Sequence, residues 1–422
     1  MTKDTLSLRR LVVAGWFGTL LEWYDFSVYG FLAPIIAVNF FPPGHGWIQL
    51  LLAYTIFSMG YLVRPLGGLL FGSLGDRRGR KSVFIYTILC MSLPTVLIGI
   101  LPTYQTLGWL APVILLGLRL LQGVAAGGEM VGSVTYIYES SPAHRKAFYT
   151  ALLFVGSGFG ILLGSAVLSL LHHFYSETAM REFVWRVPFL LAMLGLVISV
   201  WLRHNVQESK AFIRSQRAGL NLTRPFLAVI KHHKATVLRV AALFSPGALL
   251  FYLNFVFLPA SLSPMLDAPQ KTVMLLNTLA TFILLVSSVG FAWLADKYSQ
   301  RNMLYIALTL LLVLSIPLYS SIPLLSIELW FFLQMLLAVI IALLTGPLMA
   351  YTLHQSSVEV RYSSMAIAYN LAYSLIGGTA PVIAVSLLYG QYDHRWLGVY
   401  AAVIISAALL SLFASPQSRS SR

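Results

Sequence analysis

Long apolar runs separated by short polar turns repeat along this chain of 422 residues. A helix needs roughly 20 mostly apolar residues to cross the hydrocarbon core of a bilayer, and most of the runs reach that length. The runs therefore predict twelve membrane-spanning helices, at residues 11–38, 49–72, 83–101, 109–138, 147–171, 184–203, 236–261, 271–294, 303–322, 325–351, 363–388 and 395–414. The first run has no small-residue cleavage site, so it is interpreted as a retained helix rather than a signal peptide.

Composition also favours a membrane protein. Hydrophobic residues make up 58% of the chain and charged residues 10%, which leaves too little polar surface for a soluble protein of this size. The net charge of +14 comes from basic residues in the turns rather than from one patch, so the lipid bilayer, and not nucleic acid, is the expected partner. No catalytic set and no metal-ligand spacing is recognised, so the sequence predicts neither an enzyme nor a metal site.

The positions of lysine and arginine predict which side of the membrane each turn faces. Most of the 28 basic residues lie in the two termini and in the even-numbered turns. The opposite side holds Arg181, Arg186, Lys271 and Arg395. Because basic residues favour the cytoplasmic side, both termini are predicted to be cytoplasmic.

The longest polar stretch divides the predicted spans into two sets of six. It is rich in basic residues and is predicted to be a cytoplasmic linker at 204–235, between a first half at 1–203 and a second half at 236–422. Two turns recur at nearly the same offset in the second half. Gly72–Lys81 is echoed by Ala292–Arg301, and Glu139–Arg145 by Gln355–Arg361. Such a repeat indicates duplicated halves that rock about a site near the middle of the membrane.

Four motifs resemble the metabolite:proton symporter branch of the major facilitator superfamily. They are Glu22-Trp-Tyr-Asp25-Phe-x-x-Tyr29-Gly30, Arg64-Pro-Leu-Gly-Gly68, Gly72-x-x-x-Asp76-Arg77-x-Gly79-Arg80-Lys81 and Arg119-x-x-Gln122-Gly123-x-x-x-Gly127-Gly128-Glu129. The resemblance implies twelve helices in two pseudo-symmetric halves. It further implies import of proline, betaine, 2-oxoglutarate, citrate or shikimate with protons across a bacterial inner membrane. We expect no cofactor besides the proton gradient, and a functional monomer.

The first predicted helix carries two acids on one face. Glu22, Asp25 and Tyr29 lie on that face at helical spacing, close to the expected middle of the membrane. Two carboxylates one turn apart do not both ionise cheaply there, so one is a candidate proton carrier. The alternative is that either acid is permanently paired with an arginine and only fixes helix packing. Arg119 and Glu129, on one stripe of the fourth span, complete the predicted proton-coupling set.

Arginine and neutral polar side chains predict the substrate site. Arg119 offers a fork of donors that suits a carboxylate of the substrate or of Asp25. Arg64 is either a second anchor for an anionic substrate or a group that satisfies the kink at Pro65 or reaches a cytoplasmic carboxylate. Ionisable residues concentrate in the first half, so the second is expected to supply neutral hydrogen bonds. The predicted substrate-binding residues are Tyr29, Arg64, Arg119, Gln122, Asn254, Tyr369 and Asn370.

The charged turns predict a cytoplasmic gate. Asp76 can pair with a basic neighbour or accept from N–H groups at the start of the eleventh span, and the resemblance favours the second partner. The predicted gate residues are Gly72, Asp76, Arg77, Gly79, Arg80, Glu139, Arg145, Asp296 and Arg361. The second turn keeps Asp296 but has Ala292, Ser299 and Gln300 at the positions of Gly72, Gly79 and Arg80. We therefore expect gating to be concentrated in the first turn.

Direction of transport is predicted from the fifth span. Exporters of the family that work by proton antiport usually carry a Gly-Pro pair there, and no proline occurs between Ala147 and Val187. Uptake is therefore favoured, and efflux of drugs or metabolites is the alternative. A receptor that senses a metabolite without moving it is the third and least favoured possibility.

Overall fold

The structure is a computed structural model, and the regular elements that it describes are helical. It describes residues 3–68, 70–71, 80–128, 130–204, 233–263, 266–322, 326–355, 361–389 and 393–415. We number the long helical segments along the chain. They are α1 (Lys3–Phe40), α2 (Gly46–Leu62, continued after a turn to the end of the span Gly46–Gly68), α3 (Arg80–Ile100), α4 (Leu110–Ala126 and Met130–Ser140), α5 (Lys146–Phe174), α6 (Arg186–His204), α7 (Lys234–Phe251, resumed as Leu258–Ser261), α8 (Gln270–Ala295), α9 (Gln300–Ser320), α10 (Ile327–His354), α11 (Arg361–Ala372, resumed as Ala380–Tyr389) and α12 (Arg395–Phe413).

Every predicted span falls on one of these segments, which confirms an all-α polytopic membrane protein. Within the described residues, eight helices are long and apolar enough to cross a bilayer. A ninth is obtained if Glu177–Val184 and Arg186–Trp201, bent by 51°, form one span. The apolar parts of α3 and α4 are shorter than 18 residues, so the count of twelve crossings stays a prediction, as does the cytoplasmic position of the termini.

The packing of α2 against α4 depends on glycine. A Cβ on Gly123 would overlap the backbone carbonyl of Gly60, and one on Gly67 would overlap the carbonyl of Val124. A Cβ on Gly127 would likewise overlap the carbonyl of Arg64. The two backbones approach this closely because these positions lack a side chain, as small residues permit between helices in membranes. This approach brings Arg64 and Arg119 into the same interior.

Two helices of the second half contain a stretch of π-helix that the sequence did not predict. Tyr252–Phe257 interrupts α7, and Tyr373–Gly377 interrupts α11. Such bulges are rare and frequently occur at functional sites. Both bulges begin with a buried tyrosine that packs against Trp23 of α1. The irregular backbone of the second half therefore meets the charged helix of the first.

The two halves also meet through hydroxyl groups. Ser58 of α2 donates to the backbone carbonyl of Gly378 at 2.5 Å, and the hydroxyls of Ser165 in α5 and Thr278 in α8 lie 2.6 Å apart. The predicted linker lies almost wholly outside the described residues, which stop at 204 and resume at 233. The division at 204–235 therefore stays a prediction.

Candidate functional site

Glu22 of α1 and Arg64 of α2 form a buried ion pair. Nη2 of Arg64 lies 2.6 Å from Oε1 of Glu22, and the side chains are 1% and 0% exposed. Arg64 follows Val63, a turn that interrupts α2 just before Pro65. Its Nε donates to Oδ1 of Asn370 at 3.3 Å, which joins α2 to α11. Arg64 therefore binds a carboxylate of α1, and its role as a second substrate anchor stays a prediction.

Asp25 has a different environment, although it lies one helical turn from Glu22. Thr95 donates its hydroxyl to Oδ2 of Asp25 at 2.7 Å, while Oδ1 has no hydrogen-bond partner among the described residues. Asp25 is 1% exposed. A buried carboxylate with one neutral donor is costly in its ionised form. The two acids therefore differ in what balances their charge. The cation of Arg64 pairs with Glu22, whereas Asp25 accepts from the neutral hydroxyl of Thr95.

Arg119 is linked to Asp25 through two neutral side chains. Nη1 of Arg119 donates to Oε1 of Gln122 at 2.9 Å, and Nε2 of Gln122 donates to Oγ1 of Thr95 at 2.6 Å. The relay is thus Arg119, Gln122, Thr95 and Asp25 in order. Arg119 forms no ion pair with any described residue, so a direct bond to Asp25 is not part of this state.

The guanidinium of Arg119 rests among aromatic rings. Its Cζ lies 4.3 Å from the ring centre of Tyr29, 4.7 Å from that of Phe26 and 5.4 Å from that of Phe57. Each ring face attracts a cation. Nε and Nη2 of Arg119 have no hydrogen-bond partner among the described residues, and the side chain is 0% exposed. The arginine therefore retains two buried donors that an anion can accept from.

The ring of Tyr29 packs against the guanidinium of Arg119, and its hydroxyl group is hydrogen bonded to the backbone of α2. The hydroxyl donates to the carbonyl of Ala53 in α2 at 3.1 Å. Gln122 and Tyr29 thus both lie at Arg119, as the predicted site requires. Their direct contact with a substrate stays a prediction.

Asn370 and Tyr369 extend from the second half to α4 of the first. Nδ2 of Asn370 donates to the carbonyl of Gly127 at 3.1 Å, and the Tyr369 hydroxyl lies 2.9 Å from Sδ of Met130. Both residues therefore hold the halves together beside the Glu22–Arg64 pair.

An aromatic cluster that the sequence did not assign to the site fills the space between the halves. Trp23 stacks on Tyr252 at 6.3 Å between ring centres and meets Tyr373 edge-on at 5.5 Å. The hydroxyls of Tyr61 and Tyr252 are hydrogen bonded to each other. The indole N–H of Trp23 has no partner among the described residues. Trp23 lies between Glu22 and Asp25 in the sequence, and that position could have assigned it to the site.

Asn254 has a partner inside its own half. Its Nδ2 donates to the hydroxyl of Tyr319 in α9 at 2.8 Å. Gln334 of α10 donates to the backbone carbonyl of Asn254 at 3.2 Å and to Oδ1 of Asn277 at 2.6 Å. These neutral groups bind α7, α8, α9 and α10 to one another. The role of Asn254 in substrate binding stays a prediction.

At the end of the bundle predicted to be cytoplasmic, Asp296 joins the halves. Its Oδ1 accepts from the backbone N–H of Ala147 at 2.8 Å, and its Oδ2 from that of Phe148 at 2.9 Å. Both donors lie in the first turn of α5, where free N–H groups and the helix dipole favour a negative charge. The second turn thus makes an interhelical contact despite its lost glycines.

The remaining predicted gate and coupling residues divide into two groups. Arg145 is exposed in a short helical turn before α5. The others lie outside the described residues, either wholly or in their side chains: Gly72, Asp76, Arg77, Gly79, Arg80, Glu129, Glu139 and Arg361.

Comparison with known proteins identifies the family. Residues 15–381 match the sequence profile of the Major Facilitator Superfamily. The chain is 32% identical to the shikimate transporter of Escherichia coli (strain K12), over 97% of this chain and 94% of that protein. It is also 32% identical to the proline/betaine transporter of Salmonella typhimurium, over 97% of this chain and 83% of that protein.

Solved structures share the fold at low sequence identity. The proton:xylose symporter XylE bound to 6-bromo-6-deoxy-D-glucose is 16% identical, with a TM-score of 0.76 over 98% of this chain and 96% of that one. The inward-open xylose transporter XylE from E. coli gives a TM-score of 0.74 at 16% identity, over 98% of each chain. The helices, the buried charges between them and these similarities agree, and the chain belongs to the major facilitator superfamily of membrane transporters.

Proposed function

We propose that this transporter takes up a small carboxylate-bearing metabolite together with protons, with Arg119 as the anchor for the carboxylate and Asp25 as the proton site. The observation that carries the proposal is the state of Arg119, whose buried guanidinium keeps Nε and Nη2 without hydrogen-bond partners among the described residues. A carboxylate accepts two parallel hydrogen bonds from such a fork. The indole N–H of Trp23 is a further donor in the same interior.

The proton is assigned to Asp25 because Glu22 already has its countercharge. Arg64 compensates Glu22 at 2.6 Å, whereas Asp25 has one threonine hydroxyl. An incoming proton therefore removes an uncompensated charge at Asp25. The relay through Thr95 and Gln122 then gives Asp25 and Arg119 a shared hydrogen-bond network, so protonation at one end changes the donors and acceptors at the other.

Zwitterions are a second candidate class of substrate. Trp23, Phe251, Tyr252 and Tyr373 form an aromatic cluster between the halves, with Trp23 as its common member. Aromatic faces bind quaternary ammonium groups. A betaine or proline would place its carboxylate on Arg119 and its cationic nitrogen on these rings, whereas a plain acid would use the arginine alone.

Transport into proteoliposomes tests the proposal. Purified protein is given radiolabelled shikimate, proline or glycine betaine, with the interior more alkaline than the outside. Accumulation that collapses when a protonophore is added supports symport, and accumulation driven by an opposite pH gradient would indicate efflux instead. Arg119→Lys keeps the charge but removes the fork, so the substrate KM should rise about 10-fold or more.

Lys271→Arg is the matched control, because this basic residue lies at the start of α8 and outside the site. Its uptake should equal that of the wild type. An unchanged KM in Arg119→Lys would contradict the anchor. Binding without accumulation in the wild type would favour the metabolite receptor.

The contact of Asp296 with α5 supports a gating role at the end predicted to be cytoplasmic. Closing that end requires the halves to meet, and the carboxylate joins α8 to the start of α5 through two N–H groups. Opening would break both hydrogen bonds. Asp296 is therefore proposed as a latch for the closed state.

A further inference from the structure

A small cavity lies inside the second half, between α7, α9 and α10. Its volume is about 20 Å³. Asn254, Tyr319 and Gln334 supply polar groups to its wall, and the remaining lining residues are leucine, isoleucine and tryptophan. A buried water needs about 10–15 Å³ of such space. The cavity therefore has room for one water molecule and for no larger ligand.

The amide of Gln334 has one acceptable orientation. Its Nε2 donates to the backbone carbonyl of Asn254 at 3.2 Å and to Oδ1 of Asn277 at 2.6 Å. A flipped amide would place its oxygen against the carbonyl oxygen of Asn254, and two acceptors would face each other. Asn277 is fixed in turn because its Nδ2 donates to the carbonyl of Phe255 at 3.1 Å.

This orientation leaves acceptors at the cavity. Oε1 of Gln334 is buried and has no hydrogen-bond partner among the described residues. Nδ2 of Asn254 donates to the carbonyl of Leu250 at 2.9 Å and to the Tyr319 hydroxyl at 2.8 Å. Oδ1 of Asn254 accepts from none of the described residues and is the second acceptor.

Tyr319 supplies the matching donor. Its hydroxyl oxygen accepts from Asn254, and the described residues offer no acceptor for the hydroxyl proton. Tyr319 is 0% exposed, so bulk water does not take this proton. One donor and two acceptors are therefore left over around a space the size of a water molecule.

From this complementarity we infer that the cavity binds one ordered water, which accepts from the Tyr319 hydroxyl and donates to Oε1 of Gln334 and Oδ1 of Asn254. Three hydrogen bonds are typical of a buried water. A metal cation fits poorly, because all three polar groups are neutral and a hard cation such as Ca²⁺ takes about six to eight oxygen ligands.

The water would join α9 and α10 to the irregular part of α7. Two backbone carbonyls of the π-helical stretch Tyr252–Phe257 accept hydrogen bonds from other helices. The carbonyl of Asn254 accepts from the amide of Gln334, and the carbonyl of Phe255 accepts from the amide of Asn277. The same stretch begins at Tyr252, whose hydroxyl meets Tyr61 of the first half. The hydrated network therefore holds the part of α7 that contacts the other half.

A structure of the purified protein at a resolution that shows ordered water tests this site. The expected result is one density peak about 2.7–2.9 Å from the oxygens of Tyr319 and Gln334. In Tyr319→Phe the ring is kept and the donor is lost, so the peak should disappear and the thermal midpoint should fall. Tyr175→Phe removes a hydroxyl from a side chain that is 46% exposed and should leave the midpoint unchanged.

Two results would overturn the inference. One is a wild-type cavity without density, with or without a direct hydrogen bond between Tyr319 and Gln334. The other is a peak that persists in Tyr319→Phe. The wild-type map decides the question even if the variant fails to fold.

Discussion

The two halves of this transporter bury polar groups of different kinds. Among the described residues, the first half buries two acids and two arginines, arranged as the ion pair Glu22–Arg64 and as a relay from Asp25 to Arg119. The second half contains a network of neutral amides and a tyrosine: Asn254, Asn277, Tyr319 and Gln334. The charged groups lie where the halves meet, and the neutral groups join helices of one half.

This difference indicates a division of labour. The neutral network donates hydrogen bonds to backbone carbonyls of α7 and so stabilises the irregular part of that helix. The relay of the first half leaves donors of Arg119 and an oxygen of Asp25 without partners among the described residues. Unlike the neutral amides, these groups are ionisable, and buried ionisable groups in a membrane protein are costly and usually mark a transport pathway. Changes to the relay from Asp25 to Arg119 should therefore alter coupling, and changes to the neutral network should alter stability without altering coupling.

The largest expected effect is the loss of coupling in Asp25→Asn. A pH difference of one unit supports about tenfold accumulation per coupled proton, and the variant should reach a ratio near one because its amide binds no proton. The measurement is accumulation in proteoliposomes under an imposed pH gradient. Exchange of labelled for unlabelled substrate, which needs no net proton movement, should persist. Accumulation equal to the wild type would remove Asp25 as the proton site.

Glu22→Gln should produce the next largest effect, on stability. It leaves the buried Arg64 without its countercharge, and breaking a buried ion pair in this way costs about 3–5 kcal/mol. Thermal or chemical unfolding in detergent measures the loss. The double variant Glu22→Gln with Arg64→Gln removes both charges and should recover much of it. Equal stability of Glu22→Gln and the wild type would show that the pair contributes nothing.

Asn277→Leu tests the neutral network of the second half. It removes the donor to the Phe255 carbonyl and the acceptor of Gln334, so stability should fall by about 1–3 kcal/mol. Because no charge is involved, the accumulation ratio at a given pH gradient should not change. Thr272→Val, at the start of the same helix, is a control for local packing. A loss of coupling in Asn277→Leu would contradict the proposal that the neutral network contributes to stability and not to coupling.

Asp296→Asn should have the smallest effect. The amide keeps one acceptor and loses the charge, and a charge at a helix N-terminus contributes about 0.3–1 kcal/mol. Spin labels at His144 and Tyr298, in a Cys90→Ser background, report the separation of the two helix ends. The separation should shift toward longer distances, whereas Asp393→Asn should leave it unchanged. An unaltered distribution in Asp296→Asn would exclude the latch.

Much of the architecture could be predicted because it depends on local sequence. Runs of apolar residues fix where helices form in a bilayer, and apart from the start of α1 the predicted ends differ little from the observed ones. The close packing at Gly123 and Gly127 also depends on local sequence, since a missing Cβ is a property of the residue itself. The π-helical stretch of α7 was not predicted, because the side-chain donors to its carbonyls come from helices distant in sequence.

The candidate site was predicted in its members but not in its pairing. Helical spacing placed Glu22 and Asp25 on one face, and the sequence alone determined that both acids enter the interior of a membrane protein with two arginines. Which acid meets which arginine was decided by tertiary structure, because the glycine contacts between α2 and α4 position Arg64 at Glu22 and leave Arg119 two neutral side chains away from Asp25. Which acid pairs with which arginine depends on distances between helices. The periodicity of residues along one helix gives no information about those distances.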